Sequence, residues 1–275
     1  MSPLMRHIEA CRNVQLPGRR LTLRIGAAPV GWVTPEVAAG LRDYPALNTG
    51  LTIPPAQAGE LEDIAGDLSS RGWFRLRHEA FDVRAGPDGP ALARVDRGAL
   101  PVLGIRAQGV HVNGLVRRRD GIHLWVARRA ADKALDPGKL DHLVAGGVAA
   151  GMDARATLLK EAAEEAGLPE ELAARAEPVG RIAYTMERAE GLRRDLLHCF
   201  DLELPESFVP RPADDEVQEF ELWPLRRALQ AVAETDDFKF NVNLVLIDLF
   251  LRTGLVDPHG AEGAALRQAL DAGES

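Results

Sequence analysis

Three glutamates, Glu161, Glu164 and Glu165, stand at i, i+3 and i+4 in the run Lys160-Glu161-Ala162-Ala163-Glu164-Glu165-Ala166-Gly167. On a helix that spacing gathers all three carboxylates onto one face, where like charges repel. Two arrangements relieve the repulsion. One is a solvated acidic face; the other is a divalent cation, because hard ions such as Mg²⁺ take oxygen ligands and combine a few carboxylates with phosphate oxygens. Glycines flank the run, Gly146-Gly147 and Gly151 ahead of it and Gly167 behind it, and a glycine lets backbone approach a ligand closely. Arg117-Arg118-Arg119 and Arg193-Arg194 are the local basic clusters. The guanidinium groups of Arg193 and Arg194 match phosphate oxygens in geometry, with a solvated hairpin as the alternative.

The elements that must position these groups lie mostly in the second half of the chain. Apolar strands at 110–116 and 122–127 flank Arg117-Arg118-Arg119-Asp120-Gly121, a hairpin signal. A short apolar segment, Leu143-Val144-Ala145, leads through Gly146-Gly147 to a helix expected over 154–166, which Gly167 and Pro169 end. Strands at 179–185, 196–204 and 217–222 and helices at 225–234 and 242–251 complete an α/β layered unit. The first hundred or so residues read as a small α+β unit. It has strands at 21–25 and 30–33, a turn-rich stretch with Pro45, Pro54 and Pro55, a helix carrying Leu61, Ile64, Ala65 and Leu68, and a loop over 85–90. The domains are therefore 1–107, 108–258 and a tail, 259–275, with a short helix at 264–270.

At 275 residues the chain is long enough for two units, and 46% apolar with 27% charged residues is ordinary for a globular protein. A net charge of −8 argues against bulk attraction to nucleic acid or anionic lipid. No apolar run approaches the roughly 18 residues that span a bilayer. The N-terminal run Met1-Ser2-Pro3-Leu4-Met5-Arg6-His7-Ile8 has no secretory pattern, which gives a cytoplasmic expectation. Cys11 and Cys199 stand in no metal-type spacing and read as reduced thiols.

The glutamate helix with its glycines resembles the signature of the Nudix family: a Gly, five residues, a Glu, seven residues, then Arg-Glu-apolar-any-Glu-Glu-any-Gly-apolar. Counted from Gly146, the register holds through Leu168, with two departures: Met152 in place of the first glutamate and Lys160 in place of the arginine. In the family those two residues brace the loop against the helix. The resemblance implies a mixed-sheet α/β/α sandwich, here with the small N-terminal α+β domain added. It also implies Mg²⁺ or Mn²⁺ on Glu161, Glu164 and Glu165, helped by a backbone carbonyl near Ala145-Gly146. It points to Glu216, in Asp214-Asp215-Glu216-Val217, as the general base, a plain acidic turn being the alternative.

The flanking residues resemble more narrowly the Nudix proteins with an extra N-terminal domain related to thiamine pyrophosphokinase-associated proteins. They are Leu124-Trp125-Val126-Ala127-Arg128-Arg129, Lys133, Asp136-Pro137-Gly138-Lys139-Leu140-Asp141, Tyr184-Thr185-Met186-Glu187-Arg188 and Phe238-Lys239-Phe240-Asn241. His142 stands where the resemblance has Asn. This likeness implies hydrolysis of thiamine diphosphate or its oxidised and damaged analogues to the monophosphate, with Tyr184, Glu187 and Phe240 as ring contacts; core packing is the alternative for the aromatic pair. Two other functions fit the same box, an ADP-ribose or nucleotide-sugar pyrophosphatase and a non-catalytic diphosphate sensor. An isoprenyl diphosphate isomerase would need a cysteine in its acid-base pair, and neither Cys11 nor Cys199 falls in such a place. The expected partner is a small diphosphate, with no nucleic acid or membrane, and a homodimer is left open.

Overall fold

In order, the elements are α1 (Met5–Ala10), β1 (Leu21–Ile25), β2 (Ala28–Val33), α2 (Pro35–Leu41), β3 (Thr52–Ile53), α3 (Glu60–Ser70), β4 (Ala80–Val83), β5 (Ala93–Asp96), α4 (Ala99–Leu103), β6 (Arg106–Arg118) and β7 (Gly121–Arg129). They continue with β8 (Leu140–Asp141), β9 (Val144–Gly147), α5 (Ala154–Ala166), α6 (Glu170–Ala173), β10 (Glu177–Arg188), β11 (Gly191–Glu203), β12 (Val217–Pro224), α7 (Leu225–Glu234), α8 (Val242–Arg252) and α9 (Ala261–Asp271). The computed structural model describes residues 2–47, 50–132, 135–213 and 215–274; Lys133 and Asp214 of the motifs above lie outside the described residues.

The large sheet runs β10-β11-β6-β7-β12, with β9 on β6 and β8 on β7. Its central strand β6 pairs in parallel with β11 and antiparallel with β7 and β9. Residues 110–116 of β6 are all buried, as a strand covered on both faces requires. Alternation along the strands then sorts the side chains. Val110, Val112, Trp125, Phe200 and Leu202 pack with Leu158, Ala162 and Ala166 of α5. Leu115, Leu124, Val126, Leu197 and Cys199 pack with α7 and α8 on the opposite face. The result is the expected three-layer sandwich. Helix α8 is buried from Val242 through Leu251, and its one acid, Asp248, is held by Arg252 at 2.7 Å and Arg267 at 2.6 Å.

The first unit has its own core around Leu23, Val33, Leu61 and Leu103. It is built on the sheet β2-β1-β3, the helices α2 and α3, and the hairpin of β4 and β5. That hairpin brackets the expected loop at 85–90; it and the short helices α1 and α4 were too brief to show a period in the sequence. α1 does not join the first unit. Leu4, Ile8 and Cys11 enter the core of α7, α8 and α9, so both ends of the chain cover the same face of the large sheet. Because Ile8 is 2% exposed, Ile8→Ala should destabilise the protein by about 2–5 kcal/mol. Urea unfolding checks this value, and a change near zero would mean that α1 is only loosely docked.

Candidate active site

Helix α5 is placed at both ends by local chemistry. The Asp153 carboxylate accepts the Ala156 N–H at 2.7 Å as an N-cap. At the other end Gly167, at φ 59°, turns the chain so that the Leu168 N–H reaches the Ala162 carbonyl at 3.0 Å. Between these caps Leu158, Ala162 and Ala166 face the sheet, carrying Glu165 inward with them. Glu165 is 7% exposed and accepts the Ala145 N–H of β9 at 2.9 Å. Glu161 lies one turn earlier against Gly146. A Cβ on Gly146 would stand 2.3 Å from Glu161 Cγ and 2.4 Å from Cδ, a distance that no side-chain atom tolerates. Glu164 points outward, and Lys160 bridges it at 2.7 Å and Glu161 at 3.2 Å.

The electrostatics of this corner are unfavourable without a further cation. Burial raises the Glu165 pKa well above the usual carboxylate range; the Ala145 N–H opposes the rise, and the charges of Asp141, Glu161 and Glu216 reinforce it. Burial raises Glu161 as well, against the pull of Lys160 and with added repulsion from Glu164 and Glu216. Glu216 is therefore near enough for its charge to be felt by both, and it lines a small pocket with Glu165, Asp141, His142 and Ala145. Carboxylates crowded in a low dielectric, all oxygen donors, fit a hard divalent ion, which would return them to their ionised form.

His111, Asp141 and His142 also bring ligand-type atoms within 4.8 Å of one another. Asp141, however, already meets Arg129 at 2.9 Å and Lys239 at 3.4 Å and accepts the His142 N–H at 2.9 Å. Burial lowers the His142 pKa to about 4 and that of His111 well below its ordinary value. Both rings are neutral, and one Nδ1–H donates to the other Nδ1 at 2.9 Å. Among the described residues the trio is a largely paired polar network, with His142 Nε2 buried and without a hydrogen-bond partner.

A cleft between the two units opens beside Gly146, the glycine against which Glu161 packs. Its wall includes Gly146, His111, Lys239, Asn241, Arg193 and Arg194 from the larger unit and Phe81 and Arg97 from the smaller. Arg193 is fixed by the Asp195 carboxylate at 2.9 and 3.1 Å. Arg194 donates to the Gly104 carbonyl at 3.1 Å. It meets no carboxylate among the described residues, and burial and the neighbouring Arg106 lower its pKa to about 10.

The other expected contacts are placed elsewhere. Tyr184 is 2% exposed, with its hydroxyl donating to Asp195 and its ring edge-on to Phe240 at 5.8 Å. Phe240 turns away from the cleft into that packing and carries Arg188 over its other side at 4.5 Å. Glu187 forms an ion pair with Arg20 at 2.6 Å on the seam between the units. The ring contacts expected of Tyr184, Phe240 and Glu187 are corrected accordingly, because each side chain is already taken up by core packing or by an ion pair. Lys239 and Asn241 are the cleft residues that the sequence reading missed. The signal was the alternation in Phe238-Lys239-Phe240-Asn241, whose two polar residues share one side of the segment and line the cleft.

A sandwich of this order, with a glycine strand-end pressed on a glutamate helix, is the architecture of a Nudix domain, and the sequence profile of the NUDIX domain matches residues 107–244. Nudix hydrolase 20, chloroplastic, of Arabidopsis thaliana is 37% identical over 228 residues, covering 82% of this chain and 61% of that protein. Nudix hydrolase 24, chloroplastic, of the same plant is 33% identical over 272 residues, covering 94% and 74%. The crystal structure of DR0079 from Deinococcus radiodurans aligns with a TM-score of 0.44 at 19% identity, over 70% of this chain and 99% of that one. The chain belongs to the Nudix hydrolase family. It spans less than two thirds of the first of these relatives.

Because the metal-free site holds a buried, crowded carboxylate, Glu165→Gln should raise the thermal midpoint of the metal-free protein above pH 7. The sign follows from linkage: the folded pKa is raised, so the stability tied to the protonated form is lost as pH rises from the unfolded value of 4.5 through the folded one. The same substitution should erase the further rise that Mg²⁺ gives the wild type. Thermal scans with and without Mg²⁺ check both signs, and a substitution that lowers the metal-free midpoint would contradict the electrostatic account.

Proposed function

We propose that the chain is a divalent-metal-dependent pyrophosphohydrolase of a small diphosphate. The observation that carries this reading is the junction at Gly146, where the glutamate cluster meets the floor of a cleft walled by cations. Glu161, Glu164 and Glu165 would hold Mg²⁺ or Mn²⁺. The bound ion supplies charge neutralisation on the phosphate oxygens and lowers the pKa of an attacking water. Arg194, half-buried and without a carboxylate, is available for a substrate phosphate. Arg193 is held rigid by Asp195, and Lys239 adds a third positive group to the same wall. Glu216 lines a small pocket with Glu165 and would take a proton from the attacking water.

Thiamine diphosphate or its oxidised and damaged analogues are the proposed substrates, cleaved to the monophosphate. The support is the resemblance carried by the flanking residues from Leu124 to Asn241. A panel of thiamine diphosphate, its oxidised forms, ADP-ribose and nucleotide sugars, each with Mg²⁺ and with Mn²⁺, tests class and substrate together. Hydrolysis of the thiamine compounds, abolished in Glu164→Gln, is the expected result. Equal rates on ADP-ribose would remove the thiamine assignment, and binding without phosphate release in the wild type would favour the sensor. Within the same assay Arg194→Ala should raise KM. Loss of one charge-assisted hydrogen bond is worth about 1.5–3 kcal/mol, hence about ten-fold or more in KM.

A further inference from the structure

The box of this chain has Met152 and Lys160 where a glutamate and an arginine would brace the loop 148–153 against the helix. Lys160 does not replace that brace, since its ammonium goes to Glu161 and Glu164 on its own helix. The loop is held from outside the box. The Ala150 N–H donates to the Ala80 carbonyl at 2.8 Å, and the Gly151 N–H donates to Asp82 Oδ2 at 3.1 Å. Ala80 and Asp82 are alternate residues of β4, so one strand of the first unit catches two successive amides of the loop.

Asp82 is built for this position. Its side chain is 9% exposed, and Arg84 at 2.8 Å and Arg94 at 3.5 Å fix the carboxylate. Gly151, at φ +79°, adopts a conformation that L side chains rarely take. Between Ala80 and Asp82, Phe81 of the same strand presses on Gly147, its Cζ 2.6 Å from where a Cβ would stand. The loop joins Gly146-Gly147, on which Glu161 packs, to Asp153, which caps the glutamate helix. Its shape therefore sets the offset between the strand end and the carboxylates.

We infer that the β4–β5 hairpin takes the place of the missing Glu–Arg brace, and that Asp82 is a positioning residue for the metal-binding glutamates. The inference gives the first unit a part in the reaction and rests on reading the glutamate cluster as the metal site of the proposed hydrolysis. Asp82 touches neither metal nor substrate; it acts through the Gly151 amide.

The test is Mn²⁺ binding to the full chain, measured calorimetrically without substrate, alongside kcat and KM on whichever diphosphate the wild type cleaves. Asp82→Ala should weaken Mn²⁺ binding by about ten-fold or more, the usual scale for residues that orient metal ligands, and should lower kcat while leaving KM for the diphosphate little changed. Adding Met152→Glu and Lys160→Arg to Asp82→Ala restores the box's own brace and should recover the Mn²⁺ affinity. A general loss of folding would depress the thermal midpoint and would not respond to that pair. Wild-type Mn²⁺ affinity in Asp82→Ala, or no recovery on restoring the box, would overturn the inference. Should Asp82→Ala not fold, Asp82→Asn decides. It keeps an oxygen for the Gly151 N–H and should bind Mn²⁺ as the wild type does, and a ten-fold loss there would show that this hydrogen bond is not the device. Normal Mn²⁺ binding by a wild type that cleaves no diphosphate would reject the functional reading alone, leaving the brace to stand or fall on the affinities.

Discussion

A buried glutamate and a half-buried one, packed against a glycine strand-end, are the constraint around which this molecule is arranged. Glu165 and Glu161 sit on the flank of α5 that faces β9, the first buried and the second half-buried, where their charges feel each other and those of neighbouring carboxylates, Glu216 among them. A carboxylate so placed is costly to ionise. Part of that cost is offset by the Ala145 amide and by Lys160. The remainder is a cost that a divalent ion, of the kind Nudix hydrolases use, would remove. Gly146 follows from the same crowding, because any side chain there would occupy the space of the Glu161 carboxylate.

The cations answer at one remove. In a chain of net charge −8, Lys239, Arg193 and Arg194 are gathered along one cleft, and Arg97 reaches it from the smaller unit. Most of them are already engaged: Arg193 by Asp195, Lys239 by Asp141, Arg97 by Glu79. These carboxylates hold the positive groups in place at the expense of their free charge. Arg194 differs, since its neighbour is Arg106 and its hydrogen bond goes to a backbone carbonyl. The polar layer beneath, in which Asp141 joins Arg129, Lys239 and the His142 amide, keeps the floor rigid without leaving its charge unpaired.

The two units are tied together through this site. β4 holds the loop after Gly147, α4 packs its Pro101 carbonyl within 2.5 Å of where a Cβ on Gly191 would lie, and Arg20 pairs with Glu187. α1 crosses in the other sense, leaving the first unit to fill the core of α7, α8 and α9. A division of the sequence at residue 107 therefore describes the sheets better than it describes the packing.

The sequence by itself determined the elements with a long period and the local signals at their ends. Helix α5 with its stop at Gly167, the hairpin of β6 and β7, and the apolar helix α8 were all legible because spacing and turn chemistry act within a few residues. It also determined which residues could bind a metal, since the register of Glu161, Glu164 and Glu165 against Gly146 is local. Only the tertiary structure decided how those three divide into one buried, one half-buried and one exposed carboxylate, and which aromatic side chains enter the core. Tyr184 and Phe240 look available in the sequence, but α1, α8 and Asp195 enclose them. The parts played by Asp82, Lys239 and Phe81 were decided there too. Each sits far along the chain from the glutamates it serves, and nothing in local periodicity records which distant strand will meet which loop.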